Sequence, residues 1–329
     1  MSEEVATVGV TVPVSVTLGI PTYSRLRYLK ESTASALSQS YPNLEILISQ
    51  NPHPDLAIRE EIANFCRNLA SGDHRVRYQL LPRDLGPPAN FNAIADAARG
   101  EYLITIGDDD RLLPHAVEIL ADKIRTGTVL VFGRRHIMDS RGRRLEPEPS
   151  LAPAWFESQG RVPPGRLGNP ELWAWQQAMA AETSLIHTRV FRRLRFREDI
   201  DMPDLAFFIL LARERGEFIS TPEYVTEYRI HSDSSTGRGF INYRELADLL
   251  APLMVTSEVE PEKNRQLMYL TRLAILQSLS TGDVHSARRW LKSGYFTANA
   301  VPTRICAALP GRLAAPIFRA YQRLTGGAR

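Results

Sequence analysis

The chain has 329 residues, of which 43% are apolar and 23% charged, and a net charge of +3. That length allows one large α/β domain with a smaller appendage, and that composition excludes a long disordered chain. The small net charge argues against a nucleic-acid partner, and no zinc-finger, RNP or basic-zipper pattern accompanies it.

The first residues, Met1-Ser-Glu-Glu4, carry acid where a secretory leader carries base, and no apolar run is long enough to span a bilayer. The expected location is therefore cytoplasmic, or peripheral at the inner membrane face. From there to about residue 140, strand-like and helix-like patterns alternate, which predicts a mostly parallel, Rossmann-like sheet flanked by helices. Val14–Ile20 reads as a buried strand, Pro21–Ser24 as a turn, and Arg25–Gln39 as a helix with Leu26, Leu29, Ala34 and Leu37 on its inner face. Leu44–Ser49 is a second strand. Asp55 suits the N-cap of a helix carrying Ile58, Ile62, Phe65 and Leu69. Val76–Leu81 and Tyr102–Ile106 are further strands, with a short helix over Ala89–Ala98 between them and another opening near Pro114.

Residues 139–170 are rich in arginine, proline and glycine and read as a long loop, of the kind that in a compact domain is functional or disordered. Leu172–Val190 returns to helix and strand, and from Phe240 the pattern is helical. Two domains are expected, 1–238 for catalysis and a helical C-terminal extension over 239–329. Cys66 and Cys306 lie far apart in sequence, give no disulfide framework and fit a reducing compartment.

The strongest chemical signal is Gly107-Asp108-Asp109-Asp110, directly after an apolar strand. Three adjacent carboxylates repel one another unless something positive neutralises them. A divalent cation with oxygen ligands does so, and open α/β sheets bind ligands beyond the carboxyl ends of their strands. The other reading is a solvated acidic turn, with Asp110 near a helix start. As a strand-end acid, Asp110 is expected to contribute little to the core.

Residues 14–124 resemble the family 2 glycosyltransferases of the GT-A fold. The resemblance is carried by Val14-Ser-Val-Thr-Leu-Gly-Ile-Pro-Thr-Tyr23, by Leu37-Ser-Gln-Ser-Tyr-Pro-Asn-Leu-Glu-Ile-Leu-Ile-Ser49, and by Asn90 with Ala95-Asp-Ala-Ala-Arg-Gly-Glu-Tyr102 and Asp108-Asp-Asp110. It implies a nucleotide-sugar site in which Pro21, Thr22 and Tyr23 pack on the nucleoside and Asn90 lies nearby. It implies that the aspartates contact ribose, sugar and metal, with Asp108 and Asp109 toward the sugar-nucleotide and Asp110 toward Mn²⁺ or Mg²⁺. Relatives place an aspartate for the base where this chain reads Ser49-Gln50-Asn51; an amide both donates and accepts, so Gln50 and Asn51 are candidates for that contact.

A second signal is Asp201-Met-Pro-Asp204-Leu-Ala-Phe-Phe-Ile-Leu-Leu-Ala-Arg-Glu-Arg-Gly216. Pro203 suits the first position of a helix and Gly216 its end, so Asp204 falls in the first turn, where the helix dipole favours its charged form. The stretch resembles the family element whose aspartate is the general base of inverting members, and Asp204 matches it. Pro203 stands where relatives carry Glu, which keeps Asp199 and Asp201 open as the base and a helix-stabilising role open for Asp204. The third signal, Tyr228-Arg-Ile-His231-Ser-Asp-Ser-Ser-Thr236, resembles the segment that closes the catalytic domain. His231 is a candidate for the metal shell or the diphosphate, or a structural histidine. Arg229 is a candidate to neutralise phosphate, and Ser232–Gly239 a loop to order over the donor. Trp173 and Trp175 fit the core better than a sugar platform, and His115 and His136 lack partners at metal-ligand spacing.

The expected function is inverting, metal-dependent transfer from a UDP-, dTDP- or GDP-linked sugar to a hydroxyl of a sugar or lipid-linked acceptor, in cell-surface polysaccharide or glycolipid synthesis. Two alternatives stand beside it: a nucleotidyltransferase, disfavoured because Gly19-Ile-Pro-Thr22 is no glycine-rich phosphate loop, and a nucleotide-sugar-binding protein without turnover. From Val284 to Arg329 there are eight basic residues and no acidic one. Apolar and aromatic residues run among them, which suits either peripheral membrane contact or plain helix packing.

Overall fold

The computed structural model describes residues 13–145, 154–200, 202–231, 242–296 and 301–324. The chain divides into two compact units, Met1–Glu198 with Phe207–Arg238, and Asp199–Ala206 with Gly239–Arg329. The division departs from a single cut at 238, because residues 199–206 group with the C-terminal part; Asn242 Nδ2 donates to the Asp199 carbonyl at 3.0 Å.

The first unit opens with β1 (Val16–Thr22), α1 (Leu26–Leu37), β2 (Leu44–Gln50), α2 (Leu56–Gly72), β3 (Val76–Leu80), α3 (Pro87–Ala97) and β4 (Tyr102–Thr105). It continues with β5 (Arg111–Leu112), α4 (Ala116–Ala121), β6 (Thr128–Met138), β7 (Arg144–Leu145), α5 (Ala154–Arg161), β8 (Gly165–Arg166), α6 (Pro170–Trp175), β9 (Ser184–His187) and α7 (Thr188–Leu194). Then come α8 (Pro203–Leu211), whose first turn belongs to the second unit, and β10 (Glu217–Arg229). Among the described residues the ten strands form one sheet in the order β3-β2-β1-β4-β9-β6-β10-β5, with β7 paired to β6 and β8 to β10. β3, β2, β1 and β4 run parallel, β9 runs antiparallel to both β4 and β6, and β10 is parallel to β6. The predicted class, a mostly parallel α/β sheet flanked by helices with C-terminal helices beyond it, is what the chain forms.

β1 is buried along almost its whole length, as expected of a central strand covered on both faces. It runs on through Pro21 and Thr22, where the sequence predicts a turn. Gly19 bonds toward β4, through Ile106 N–H at 3.0 Å, and Pro21, two residues on, faces the same side past the end of β4 at Thr105. Its missing N–H therefore breaks no ladder bond. On α1 the buried positions are Leu29, Ser32, Thr33 and Ala36, with Leu26 and Leu37 partly buried and Ala34 exposed, which corrects the predicted inner face. Asp55 caps α2 through the Ala57 N–H at 2.8 Å, and Ile62 and Cys66 enter the core.

The two longest strands, β6 and β10, are absent from the sequence expectations. Their parallel pairing shifts register between Ser220 and Tyr224, around Pro222. Gly133 of β6 faces that irregularity: a Cβ there would lie 2.8 Å from the Glu223 carbonyl oxygen and 2.9 Å from Val225. The predicted 139–170 loop contains β7, α5 and β8, and its residues 146–153 lie outside those described. Asp201 and the 232–239 segment also lie outside them.

The second unit holds α9 (Tyr243–Leu250), α10 (Glu260–Thr281), α11 (Val284–Leu291), α12 (Val301–Ala308) and α13 (Gly311–Leu324). α10 packs against α9, α11 and α13. It buries Leu267, Leu270, Ala274 and Leu279 at helical spacing and ends at Gly282, whose φ of 84° is the left-handed stop that glycine takes most readily. Both cysteines are free and buried. Among the described residues, no helix is long and apolar enough to cross a membrane.

Candidate active site

β1 and β4 lie side by side in parallel, so their carboxyl ends bring Thr22 and the Asp108–Asp110 turn together. Thr22 is buried, and its hydroxyl donates to Asp108 Oδ2 at 2.8 Å. Asp108 Oδ1 accepts from Arg25 Nη2 at 2.5 Å, and Asp109 Oδ2 lies 2.6 Å from Arg25 Nη1. Asp109 Oδ2 also lies 2.9 Å from His231 Nε2, which is itself 3.2 Å from Arg25 Nη1. One guanidinium thus bridges two carboxylates with an imidazole against it. Gly107 leaves room for the turn, since a Cβ there would lie 2.4 Å from Asp109 Oδ1.

Asp110 faces the other way. Its Oδ1 accepts from the Arg229 N–H at 2.9 Å, and behind it Arg135 and Glu182 form a buried ion pair. Arg229 is fully buried: Nε donates to the Asp109 carbonyl at 2.6 Å, Nη2 to Glu31 at 2.6 Å, and its guanidinium lies 4.5 Å from the Tyr28 ring centre. Its charge is paired with Glu31, and its Nε and backbone N–H hold the aspartate turn. Tyr28 also packs against His231, ring centres 5.0 Å apart.

Burial raises the Asp108 pKa; Arg25 pulls it down, Asp109 adds to the rise, and the hydrogen bonds from Thr22 and Arg25 oppose it. Burial raises Asp110 well above the usual carboxylate range, with Asp109 and Glu182 adding to it. Burial works against the Arg25 charge, but Asp108 and then Asp109 outweigh it, and the guanidinium pKa rises. The three adjacent carboxyls therefore differ: Asp110 is held toward its protonated form inside the protein, and Asp109, with 14% of its side chain exposed, borders solvent.

Around this cluster, the Tyr23 ring pairs with His53 at 4.8 Å between centres, next to half-buried Pro21. Gln50 and Asn51 turn inward. Gln50 accepts from Tyr78 OH at 2.6 Å and donates to the Arg59 carbonyl at 3.0 Å; Asn51 accepts from Leu85 N–H and donates to the Gly86 carbonyl, both at 3.2 Å. At 0% and 4% exposure both amides are buried, Gln50 tied to α2 and β3 and Asn51 to the segment that leads into α3. Asn90 donates to the Ser49 carbonyl at 3.0 Å, and its buried Oδ1 has no hydrogen-bond partner among the described residues. Asp204 is exposed in the first turn of α8, which starts at Pro203 and ends at Leu211, short of Gly216. Asp199 is exposed as well. Trp175 is fully buried and Trp173 half-buried; His136 stacks on Tyr224 at 3.9 Å.

Arg25 has no place among the sequence candidates, yet it is the cation of the cluster. One signal was available: Arg25 stands at the N-cap position of α1 without a side-chain capping bond, and Arg27 follows in the first turn, with no acidic residue there. Basic residues at a helix N-terminus oppose the dipole, so another partner must hold them.

The donor chemistry can be tested against a divalent cation. Asp109 and His231 offer a carboxylate oxygen and an imidazole nitrogen at one point, ligands that Mn²⁺ or Mg²⁺ accept. Among the described residues, no group of three His, Cys, Asp or Glu side chains is placed to hold a metal. A cation held by these two side chains would need its remaining ligands from another molecule, and a diphosphate would supply such oxygens.

Comparison with known proteins agrees with this architecture. The family model for glycosyl transferase family 2 matches residues 17–182, which include β1 from its second residue, the aspartate turn and Glu182. A GalNAc(5)-diNAcBac-PP-undecaprenol beta-1,3-glucosyltransferase of Campylobacter jejuni is 25% identical over 240 residues, 70% of this chain and 72% of that protein. Abequosyltransferase RfbV of Salmonella typhimurium is 37% identical over 103 residues, 31% of this chain and 30% of that one. Among solved structures, TarS of S. aureus in complex with UDP-GlcNAc superposes with a TM-score of 0.60 at 13% identity, covering 94% of this chain and 92% of that one. Mannosyltransferase PcManGT of Pyrobaculum calidifontis, in complex with GDP-Man and Mn²⁺, gives 0.56 at 17% identity, covering 96% and 90%. Strand order, aspartate turn and family match converge: the chain belongs to glycosyl transferase family 2 and is a glycosyltransferase of the GT-A fold.

Proposed function

We propose that the chain transfers a sugar, with inversion, from a nucleoside diphosphate sugar to a hydroxyl acceptor, with a divalent cation at Asp109 and His231. The observation that carries this reading is the convergence of Asp108, Asp109, His231 and Arg25 at the carboxyl edge of β1 and β4. Pro21, Thr22 and the Tyr23–His53 ring pair frame the nucleoside side, and Asp108, fixed by Thr22 and Arg25, faces the ribose or sugar. Asp109 replaces Asp110 as the proposed metal ligand, because Asp109 borders solvent beside His231 while Asp110 is buried against Arg229 N–H. A bound cation would stabilise negative charge on the departing diphosphate.

Asp204 is the proposed general base, on its match to the family element and its exposed place in a first helical turn. It takes the proton of the acceptor hydroxyl. The oxygen then bonds to the anomeric carbon as that carbon's bond to the diphosphate breaks, and a single displacement inverts the centre. A lipid-linked acceptor agrees with the undecaprenol-linked substrate in the name of the Campylobacter relative.

Contact with an anionic membrane surface goes with such an acceptor. α13 exposes Leu313 and Ile317, each 46%, α12 exposes Ile305 at 58%, and Arg304, Arg312 and Arg319 lie exposed among them. The function is tested by melting the protein with UDP-, dTDP- and GDP-linked sugars, with and without Mn²⁺, since a ligand specific for the native state raises Tm. A Mn²⁺-dependent rise with one donor class, followed by transfer from that donor, is expected. No shift with any donor contradicts the reading.

A further inference from the structure

Asp109 Oδ2 is contested by two groups. Arg25 Nη1 approaches it to 2.6 Å and His231 Nε2 to 2.9 Å, and the two nitrogens are 3.2 Å apart. Arg25 holds Asp108 as well, at 2.5 Å, so its fork spans buried Asp108 and solvent-bordering Asp109. His231 Nε2 can bind a metal only through its lone pair, and in this arrangement it either donates to Asp109 or accepts from Arg25. A divalent ion shared by Asp109 Oδ2 and His231 Nε2 would occupy the place the guanidinium fills.

We propose that Arg25 is a built-in counter-cation that closes the acidic cluster until donor and metal arrive together. On their arrival it gives up Asp109 and turns to the donor's diphosphate. This rests on the metal assignment above and adds to it a binding order: the metal alone competes with Arg25, whereas metal with nucleotide diphosphate offers the guanidinium a new anionic partner. A guanidinium suits both states, since its planar fork matches carboxylate and phosphate alike. The exchange breaks no covalent bond, and an exposure of 27% for the Arg25 side chain leaves it room to move.

The test is the affinity for Mn²⁺ alone, read from the free-ion signal in electron paramagnetic resonance, with UDP, dTDP and GDP as separate additions. The wild type is expected to bind Mn²⁺ weakly alone and at least about tenfold more tightly with the preferred nucleotide. Arg25→Gln is expected to bind Mn²⁺ alone at least about tenfold more tightly than the wild type and to lose affinity for the nucleotide at saturating Mn²⁺. Arg25→Lys keeps the charge and cannot bridge both carboxylates, so it should fall between them; it serves as the comparison if the glutamine variant does not fold. If neither variant binds Mn²⁺ alone more tightly than the wild type, while the wild type still binds Mn²⁺ with nucleotide, the counter-cation role is wrong and the metal assignment stands. If the wild type binds no Mn²⁺ with any of the nucleotides, both fall.

Discussion

Asp110 accepts the Arg229 N–H at 2.9 Å and shares its buried surroundings with Asp109 and Glu182, which together with burial hold its pKa well above the carboxylate range. A carboxyl raised in the folded state keeps its proton longer than in the unfolded chain. Stability therefore falls as pH rises from the ordinary carboxylate value toward the raised one. Asp110→Asn keeps an acceptor for Arg229 and removes that charge, so denaturant melts at pH 5 and pH 8 should show it as stable as the wild type or more so. Asp110→Ala orphans the Arg229 N–H and should cost about 1–3 kcal/mol; equal losses in the two variants would contradict this role. The expectation that Asp110 contributes little to the core is thereby corrected, since it is 4% exposed. Asp204 has the opposite setting, exposed at a helix start. Asp204→Asn should keep donor binding and lower the transfer rate ~10²- to 10⁴-fold, the usual worth of a general base. Near-normal turnover in steady-state assays would move the role to Asp199 or Asp201.

Glu45 links four elements of the parallel half of the sheet. It accepts from Thr17 of β1 at 2.6 Å and from the Arg99 N–H before β4 at 2.9 Å, and it pairs with Arg77 of β3. Burial alone would raise its pKa, but Thr17, Arg77 and the Arg99 N–H outweigh it, and the pKa is lowered. A depressed carboxyl adds stability above its unfolded value, about 4.3, and loses it as pH falls through the folded value. Melts from pH 6 to pH 3 should therefore show a steeper loss below about pH 4.3 in the wild type than in Glu45→Gln; identical slopes would remove Glu45 from the account. These strands were legible in the sequence because each is a short apolar run bounded by turn residues or a helix cap. β6 and β10 were not: Gly133-Arg-Arg-His136 interrupts one, and Pro222-Glu223 sits in the other, at the register shift that Gly133 accommodates. At the site, the aspartate turn and Thr22 follow from strand ends and motif order. The inward turn of Gln50 and Asn51 depends on partners far along the chain, Tyr78 and Gly86, and Arg25 on a cluster more than eighty residues away, at |i−j| of 83.

At the scale of the whole molecule, the sheet unit carries the donor chemistry, and the helical unit carries the exposed arginines and apolar side chains of α12 and α13. For the proposed membrane contact, three basic residues near an anionic leaflet would contribute about 1 kcal/mol each. Sedimentation with phosphatidylglycerol vesicles at low salt should carry down the wild type, and an Arg312→Glu, Arg319→Glu variant should stay in the supernatant; a wild type that also stays there excludes the membrane contact. The central claim is the cation and donor site at Asp109. Titration calorimetry of the preferred nucleoside diphosphate, with Mn²⁺ and without it, tests that claim on the wild type, Asp109→Asn and Asp110→Asn. Mn²⁺-dependent affinity should be lost in Asp109→Asn and kept in Asp110→Asn; Asp109→Asn with wild-type, Mn²⁺-dependent binding would contradict the claim.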